Sequence, residues 1–413
     1  MKRTILIPIT FLVLLSFSFQ CSAPPPLATI YLTNTSNHDL YKTSVEVELS
    51  ELGFTSDTKN QNFTLLVGET EIPYQLDDLD KDGKKDVLFF QVDINSKDEQ
   101  KITLVKTDTP QNFTKLTDGV LKIREKPDPN SMQVGDDFMP TTRYEIPADL
   151  AQDNGLVFLE GPAWESNLVG YRFYIDNRTR FDIFGKTTQE LVLSNVSGNY
   201  HEIGDWGADV LSVGSSLGMG SPAVIMDDEI RTIDEVESKH IEIIVNGPLR
   251  TIIRTSYKQW NLPGKAIDIT MDLEIHAHQR YTKLSLLHDT LPTEARFTTG
   301  LVRNSEAPNF AEGEIGDMYF VSNWGAKASY HENPLGKALL VKDTYNPEPD
   351  ATNDLSYLVN LGSNLNRIEY YLLAAWGLEP ESSRIATENA FNEHIEQVAN
   401  QLSSPLKITI KTR

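Results

Sequence analysis

"AIDITMDLEIHA", residues 266–277, alternates apolar with polar side chains from end to end. Ile267, Ile269, Met271, Leu273 and Ile275 fall on one side, and Asp268, Thr270, Asp272, Glu274 and His276 on the other. Successive side chains of a β-strand point to opposite faces, so a period of two predicts a strand with one face in a core. The neighbouring segments repeat the pattern: "HIEIIVNG" (240–247), "RTIIRTSYKQW" (250–260) and "YTKLSLLHD" (281–289). Further out, so do "TSVEVELS" (43–50), "NFTLLVG" (62–68), "KDVLFFQVDI" (85–94), "QKITLVKT" (100–107), "GVLKIRE" (119–125) and "LKITIKT" (406–412). All are short, rich in Val, Ile, Thr and aromatics, and bounded by Gly, Pro, Asn and Asp clusters, which predicts a mainly β protein of sandwich type.

One segment breaks the period. "SSRIATENAFNEHIEQVANQLSS" (382–404) spaces Phe391, Ile395, Val398 and Leu402 by four, three and four, the stripe of a helix packed on a sheet, with a serine pair at its start. No internal repeat or low-complexity linker divides the chain. Turn-rich segments between 108 and 140 suggest a boundary, giving an N-terminal β layer (31–120) that abuts a larger sandwich (121–413), as parts of one unit rather than two independent domains.

The chain has 413 residues and a formal net charge of −22, with 39% hydrophobic and 9% aromatic residues. It is long enough to bury a large core, and its charge opposes nucleic acid, which is bound through phosphate neutralisation. A short anionic ligand can still bind at a local cationic island, because salt screens charges beyond about 8–10 Å.

The segment "MKRTILIPITFLVLLSFSFQC" (1–21) has two cations, an apolar run and then Cys21, the layout of a secretory signal. Cys21, the one cysteine of the chain, precedes "SAPPP" and resembles the lipidation site and tether (22–30) of a bacterial lipoprotein. Gln20 departs from the small residue usual before such a cysteine. The expected location is the periplasm or the outer membrane, with attachment to the membrane through that lipid alone. With one cysteine, no intrachain disulfide forms.

"DDLDKDGKKD" (77–86) places Asp78, Asp80 and Asp82 two apart, followed by Gly83 and Asp86, so a turn can gather hard oxygens around a structural calcium. The match to an EF-hand is partial, since Phe89 stands where the bidentate Glu belongs and the flanks read as strands. The competing reading is a solvated Asp-Gly turn with its acids offset by Lys81, Lys84 and Lys85.

Cations concentrate in "EGPAWESNLVGYRFYIDNRTRFDIFGK" (160–186), and a glycine-punctuated loop follows, "SGNYHEIGDWGADVLSVGSSLGMGSPAV" (197–224), carrying His201, Glu202, Asp205, Trp206 and Asp209. Loops of this kind carry binding and catalysis, and an imidazole exchanges a proton near neutral pH. Trp164, Trp206 and Trp324 offer flat faces for sugar rings, unless they are core aromatics. "EIHAHQRY" (274–281) puts His276 and His278 on one side of a strand, where they can line a cleft or hold a metal, or simply be exposed. The zinc HExxH, P-loop, dinucleotide and GxSxG signatures are absent from the sequence, and elimination without a cofactor is the simplest chemistry to expect.

The segments 161–186 and 200–221, with "QLDDLDKDGKKDVLFFQVDI" (75–94), resemble a bacterial secreted family labelled as a domain of unknown function and found in gene clusters that digest plant and algal polysaccharides. The resemblance spans most of the mature chain. It implies a galactose-mutarotase-like β-supersandwich and a relation to oligosaccharide dehydratases acting on uronic-acid ends in ulvan breakdown.

Removing water across C4 and C5 of a terminal glucuronate or iduronate needs a base for the C5 proton, an acid for the 4-hydroxyl, and positive charge on the carboxylate. Arg172 is the candidate carboxylate clamp, with Arg178, Arg180 and Lys186 as rivals. His201 and either Tyr171 or Tyr174 are the acid and base in unassigned order, with Glu165 or Asp205 orienting the imidazole. Alternation along 171–176 sets Arg172 with Tyr174 and opposite Tyr171. Trp164, Arg178, Lys186, Trp206, His278 and Trp324 complete the expected binding surface for an anionic oligosaccharide. A polysaccharide lyase and a glycan-binding lipoprotein are the competing readings.

Overall fold

The strand Lys265–His276 lies inside a nine-stranded sheet, between Arg250–Leu262 and Tyr281–His288. From edge to edge the sheet runs Arg143–Ile146, Ser238–Asn246, Arg250–Leu262, Lys265–His276, Tyr281–His288, Arg367–Trp376, Leu335–Lys342, Met318–Gly325 and Phe310–Ile315, with every pair antiparallel. The molecule is described by a computed structural model over residues 25–54, 62–128, 133–303, 309–326, 329, 331–362 and 365–412. Cys21 and the rest of the segment 1–21, expected from its sequence to be a secretory signal, lie outside the described residues.

The alternation read in 266–277 is the alternation observed. Ile267, Ile269, Met271, Leu273 and Ile275 are buried in the largest core, while Asp268, Thr270, Asp272 and Glu274 face away from it. Two five-stranded sheets close that core from the other side. One runs Gly207–Asp209, Phe181–Lys186, Gly170–Phe173, Ala163–Ser166 and Thr117–Val120. The second runs Glu229–Arg231, Ala223–Met226, Arg296–Val302, Ser356–Asn360 and Glu348–Asp350. Trp164, Tyr171, Phe173 and Ile183 of the first sheet and Val224, Phe297 and Val359 of the second pack onto the nine-stranded sheet. The approach is closest at Gly185, where a Cβ would stand 2.4 Å from the Trp376 ring, so only glycine fits.

The helix Glu388–Leu402 lies on the outer face of the nine-stranded sheet, burying Phe391, Ile395 and Val398 against Met318, Leu340 and Leu373. It begins later than its sequence suggests. Thr387 is the N-cap and accepts from the Ala390 N–H, whereas Ser382 and Ser383 lie in the preceding turn.

A smaller sandwich has its own core, built on Ile30, Leu32, Val45, Phe63, Leu88, Phe90 and Ile102. Its sheets are Lys407–Thr412, Ala28–Thr33, Glu99–Lys106, Phe63–Val67 and Thr70–Ile72, facing Leu40–Glu48, Val87–Ile94 and Tyr74–Asp77. This corrects the expected boundary at two points. Thr117–Val120 pairs with Ala163–Ser166 and belongs to the large sandwich, and Lys407–Thr412 pairs with Ala28–Thr33 and belongs to the small one. Pattern along the chain reveals a strand but not its partner. Among the described residues no helix is long and apolar enough to cross a membrane.

Candidate functional site

The hairpin Gly170–Phe173/Phe181–Lys186 turns alternate residues toward and away from the main core. Tyr171, Phe173, Phe181 and Ile183 point inward. Arg172 and its register partner Asp182 point the other way, into a layer formed where 158–160 and 192–206 cover the sheet, around Phe158, Phe184, Leu193 and Tyr200. Tyr174 joins Arg172, while the Tyr171 hydroxyl donates to the Arg280 carbonyl at 2.5 Å on the opposite side. The alternation expected for 171–176 therefore holds for this pair.

Arg172 is fully buried and its five N–H groups are engaged. Nε donates to Asp182 Oδ2 at 3.2 Å. Nη2 reaches the same oxygen at 2.7 Å, Asp209 Oδ2 at 2.5 Å, and the Tyr174 hydroxyl. Nη1 faces the Tyr200 hydroxyl at 3.2 Å, the Leu159 carbonyl at 3.4 Å and Glu160 Oε2 at 3.5 Å. The guanidinium has no donor left for a substrate carboxylate, which corrects the clamp role expected of Arg172. Its partners make it the anchor of Asp209 and Asp182.

His201 lies at the edge of this network. Its Nδ1 is 3.3 Å from Asp209 Oδ2, the oxygen that Arg172 also holds, and its side chain is 47% exposed against 5% for Asp209. Neither Glu165 nor Asp205 makes that contact. Glu165 is buried, takes the Lys186 ammonium at 2.5 Å, and accepts from the backbone N–H groups of Val192 and Leu193 at 2.7 Å each. It therefore fixes the start of the segment that carries His201, not the imidazole. Asp205 is exposed, and its carbonyl accepts from the Thr187 hydroxyl at 2.6 Å.

The electrostatics follow from crowding carboxylates in a dry layer. Burial, then the charge of Asp209, pushes Asp182 up to about 6 against the opposing pull of Arg172. The hydrogen bond to Asp209 raises His201 above the ordinary imidazole value. Burial raises Tyr174 far above the usual phenol value and Tyr200 to about 12, so neither is a ready phenolate base. Tyr174 instead donates to Asp182 Oδ2 at 2.7 Å, and its ring takes Arg178 at 3.8 Å and Arg172 at 4.3 Å. Arg178 is held by Asp176 at 2.5 Å and Glu160 at 2.8 Å. Leu159 and Glu160 take left-handed backbone angles, φ 53° and 61°, the kind of strain that collects at functional sites.

Asp182, Asp209, Tyr200 and Glu160 are the residues of this cluster to which the sequence reading gave no role. Alternation held the signal for one of them: in a hairpin turning between 173 and 181, Asp182 falls opposite Arg172. Asp209 is visible in the sequence only as one acid among several in the His201 loop, and Glu160 comes from a separate element.

The remaining candidates lie elsewhere. Trp164 is fully buried, its indole N–H donating to Thr282 Oγ1 at 2.7 Å, so it has no face for a sugar. Lys186 is fully buried with Glu165 and equally closed to a ligand. Trp206 is partly exposed beside Phe184, at 6.0 Å, in the layer that carries His201. Trp324 packs on Phe391 of the helix at 5.5 Å. His276 ends its strand with both nitrogens engaged, at 2.9 Å from Ser44 Oγ and 2.7 Å from Glu274. His278 sits in the following turn at φ 61°, beside Asn167, so the expected same-face pair does not form.

In the Asp-rich loop, Asp78, Asp80 and Asp86 each bring a carboxylate oxygen within 4.8 Å of the others, a spacing that suits a hard divalent cation. Asp82 turns instead to Lys84, accepting from its N–H at 2.8 Å and its ammonium at 2.7 Å.

Residues 32–408 match the family described as "Domain of unknown function (DUF4861)", and the chain belongs to that family. A protein of Formosa agariphila, called "Uncharacterized protein P7", is 20% identical over 396 residues, covering 89% of each chain. Among solved structures, a glycosyl hydrolase family 38 protein from Enterococcus faecalis is similar at a TM-score of 0.48, with 10% identity over 94% of this chain and 47% of its own. An α-mannosidase from Enterococcus faecalis V583 is similar at 0.48, with 11% identity over 94% of this chain and 46% of its own. The chain thus spans about half the length of those solved structures.

Proposed function

We propose that this member of the DUF4861 family is an oligosaccharide dehydratase acting on a non-reducing-end uronic acid. The observation that carries the reading is the half-exposed His201 imidazole, hydrogen-bonded to a buried Asp209 that Arg172 holds in place. A carboxylate so anchored fixes the ring's orientation and keeps its proton exchange near neutral pH. In the reaction the C5–H bond breaks, its electron pair forms the C4–C5 double bond, the C4–O bond breaks, and the departing oxygen takes a proton and leaves as water. Loss and gain of protons balance, so the step needs no oxidant, reductant or co-substrate.

His201 handles the proton in this scheme. Tyr174 and Asp182, both buried, act behind it by holding the charge of the cluster. With Arg172, Arg178 and Lys186 all paired to carboxylates, Arg180 is the cation of the stretch left for the substrate carboxylate. It makes no ion pair among the described residues and donates to the carbonyls of Arg178 and Ser215. The resemblance of the 161–186 and 200–221 segments to a family that includes dehydratases of ulvan breakdown supports the substrate class.

Mass spectrometry of short glucuronate- or iduronate-ended oligosaccharides tests the reading. The expected product is lighter by one water at unchanged chain length, and is absent with His201→Ala. Shortened products would mean a polysaccharide lyase, and binding without turnover a glycan-binding protein.

Two further parts of the proposal have separate tests. A lipid on Cys21 anchors the protein outside the cytoplasm, so labelled fatty acid enters the wild type and not Cys21→Ala. The Asp78–Asp80–Asp86 loop holds a structural calcium, so chelator lowers the melting temperature and millimolar calcium restores it; no change in either condition removes the metal from the account.

A further inference from the structure

Between the two sandwiches lies a groove of about 650 Å³, walled by 74–78 and the Asp-rich turn on one side, 110–113 at one end, and the 244–248 bend of the nine-stranded sheet on the other. That volume is in the range of small-ligand sites. The bend itself comes from a β-bulge between Ile243 and Val245, which turns the strand out of register just where the groove forms.

The lining is chemically open. Asn62, Gln111 and Asn112 line the groove, and their side-chain amides make no hydrogen bond among the described residues. Lys81 and Lys85 also line it, and neither forms an ion pair among the described residues. Phe113 supplies a partly exposed ring, held edge-on by Tyr74 at 5.4 Å, and Tyr74 is fixed by its hydroxyl bond to the Phe63 carbonyl at 2.6 Å. Two carboxylates share the wall. Asp77 is neutralised by Arg250 at 2.6 Å, and Asp78 accepts from the Gly83 N–H at 2.9 Å. The lining thus sets Lys81 and Lys85 against Asp77 and Asp78, a formal balance, and Arg250 behind the wall already holds Asp77. Its lining is therefore less acidic than the chain as a whole, whose net charge is −22.

We infer that this groove is a second ligand site, taking an anionic sugar segment separate from the residue handled at His201. The acid group, carboxylate or sulfate, meets Lys81 and Lys85. The hydroxyls meet the three amides, each both donor and acceptor, and a ring face lies on Phe113. The inference stands on the groove's own residues and does not depend on the chemistry at His201.

Hydrogen exchange of the full chain tests it with three probes: a glucuronate-containing oligosaccharide, its carboxyl-reduced counterpart and a sulfated oligosaccharide. The expected result is protection of 74–85, 110–113 and 244–248 by one or both anionic probes but not by the reduced one. The Lys81→Gln/Lys85→Gln variant weakens that binding about tenfold or more, as loss of charge-assisted bonds does. Protection by the sulfated probe alone identifies sulfate as the group recognised, and protection by the glucuronate probe identifies carboxylate. Protection confined to 197–210, equal protection by the reduced probe, or unaltered affinity in the double variant would overturn it. Water loss measured on the same samples is scored separately, so failure of the dehydratase reading leaves a different signature from failure of this one.

Discussion

Arg172 and Arg250 are each buried among several carboxylates, and one carboxylate at each site moves in the opposite direction to the other. Arg250 joins the two sandwiches: it binds Asp77 at 2.6 Å, Glu46 and, at 3.2 Å, Glu274, with its guanidinium 4.4 Å from the centre of the Phe89 ring. Glu274 also accepts from His276 at 2.7 Å and lies 3.8 Å from Lys283. Burial alone would raise Glu274, but the His276 bond and the charges of His276, Arg250 and Lys283 hold it well below the usual carboxylate range. Around Arg172, the carboxylates of Glu160, Asp176, Asp182 and Asp209 face two guanidinium groups, and Asp182 moves the other way, up to about 6. Asp77 beside Arg250 is likewise raised by burial, so the contrast lies between Glu274, which has His276 and Lys283 as well as Arg250, and Asp182, which shares its guanidinium with Asp209. The excess acid leaves a proton to be exchanged near neutral pH, and His201 is where the cluster meets solvent.

The sharpest way to break the comparison is His201→Ala. Turnover is expected to fall by about 10²–10⁴, the range of a general acid–base group, with the melting temperature unchanged because the ring is half exposed. His276→Ala should do the reverse, lowering stability while leaving turnover per folded molecule intact. Exchange of those outcomes would move the site to the interface of the two sandwiches.

Removing either arginine strands buried carboxylates. Arg172→Met and Arg250→Met are each expected to cost about 3–5 kcal/mol in urea unfolding. Asp182→Asn added to Arg172→Met should recover part of that loss, because one stranded charge is gone.

Lys337 sharpens the idea from the other side. It is fully buried, donates only to the Val302 carbonyl at 3.1 Å among the described residues, and is pushed down to about 7 by burial. With no carboxylate to balance it among the described residues, Lys337→Met should raise the melting temperature by several degrees. A fall would mean that the amine does more than occupy the core.

The smallest effect is the most specific. Asp182 has a folded pKa raised above its unfolded value, so between about 6 and about 4 the native state binds the extra proton and stability increases as pH falls. Glu274 is depressed, so its contribution is present above its unfolded value and is lost as pH drops below about 4. The wild type should therefore gain up to about 2–3 kcal/mol between pH 6 and 4 from the Arg172 cluster. That gain should vanish in Asp182→Asn and persist in Glu274→Gln.

Much of this was readable from one dimension. Alternation in 266–277 named the inward face of a central strand, and it put Arg172 with Tyr174 and away from Tyr171. It misjudged Trp164 and Lys186, because a composition rich in cations and aromatics looks the same in a binding surface as in a buried layer. It attached the wrong acid to His201, because Asp209 and Asp205 stand in one loop and the choice depends on which of them enters the sheet. Asp209 does, as the last residue of the strand Gly207–Asp209, which pairs it with Phe184. The network around Arg172 joins residues from 159 to 209, and no periodicity records which distant carboxylate a guanidinium will meet.

Consider last the strand Lys407–Thr412, bonded along its length to Ala28–Thr33. Ala28–Thr33 is hydrogen-bonded on its other edge to Glu99–Lys106, so it becomes an interior strand only when the far end of the chain arrives. A polypeptide emerging in order from its N-terminus presents every strand of the large sandwich by Trp376, while the small sandwich still has an open edge. The region made first is therefore completed last. Until then its edge, with its unpaired N–H and C=O groups, is a template that any other extended segment can join. For a chain made in sequence, that edge stays open through the interval between residue 376 and residue 412.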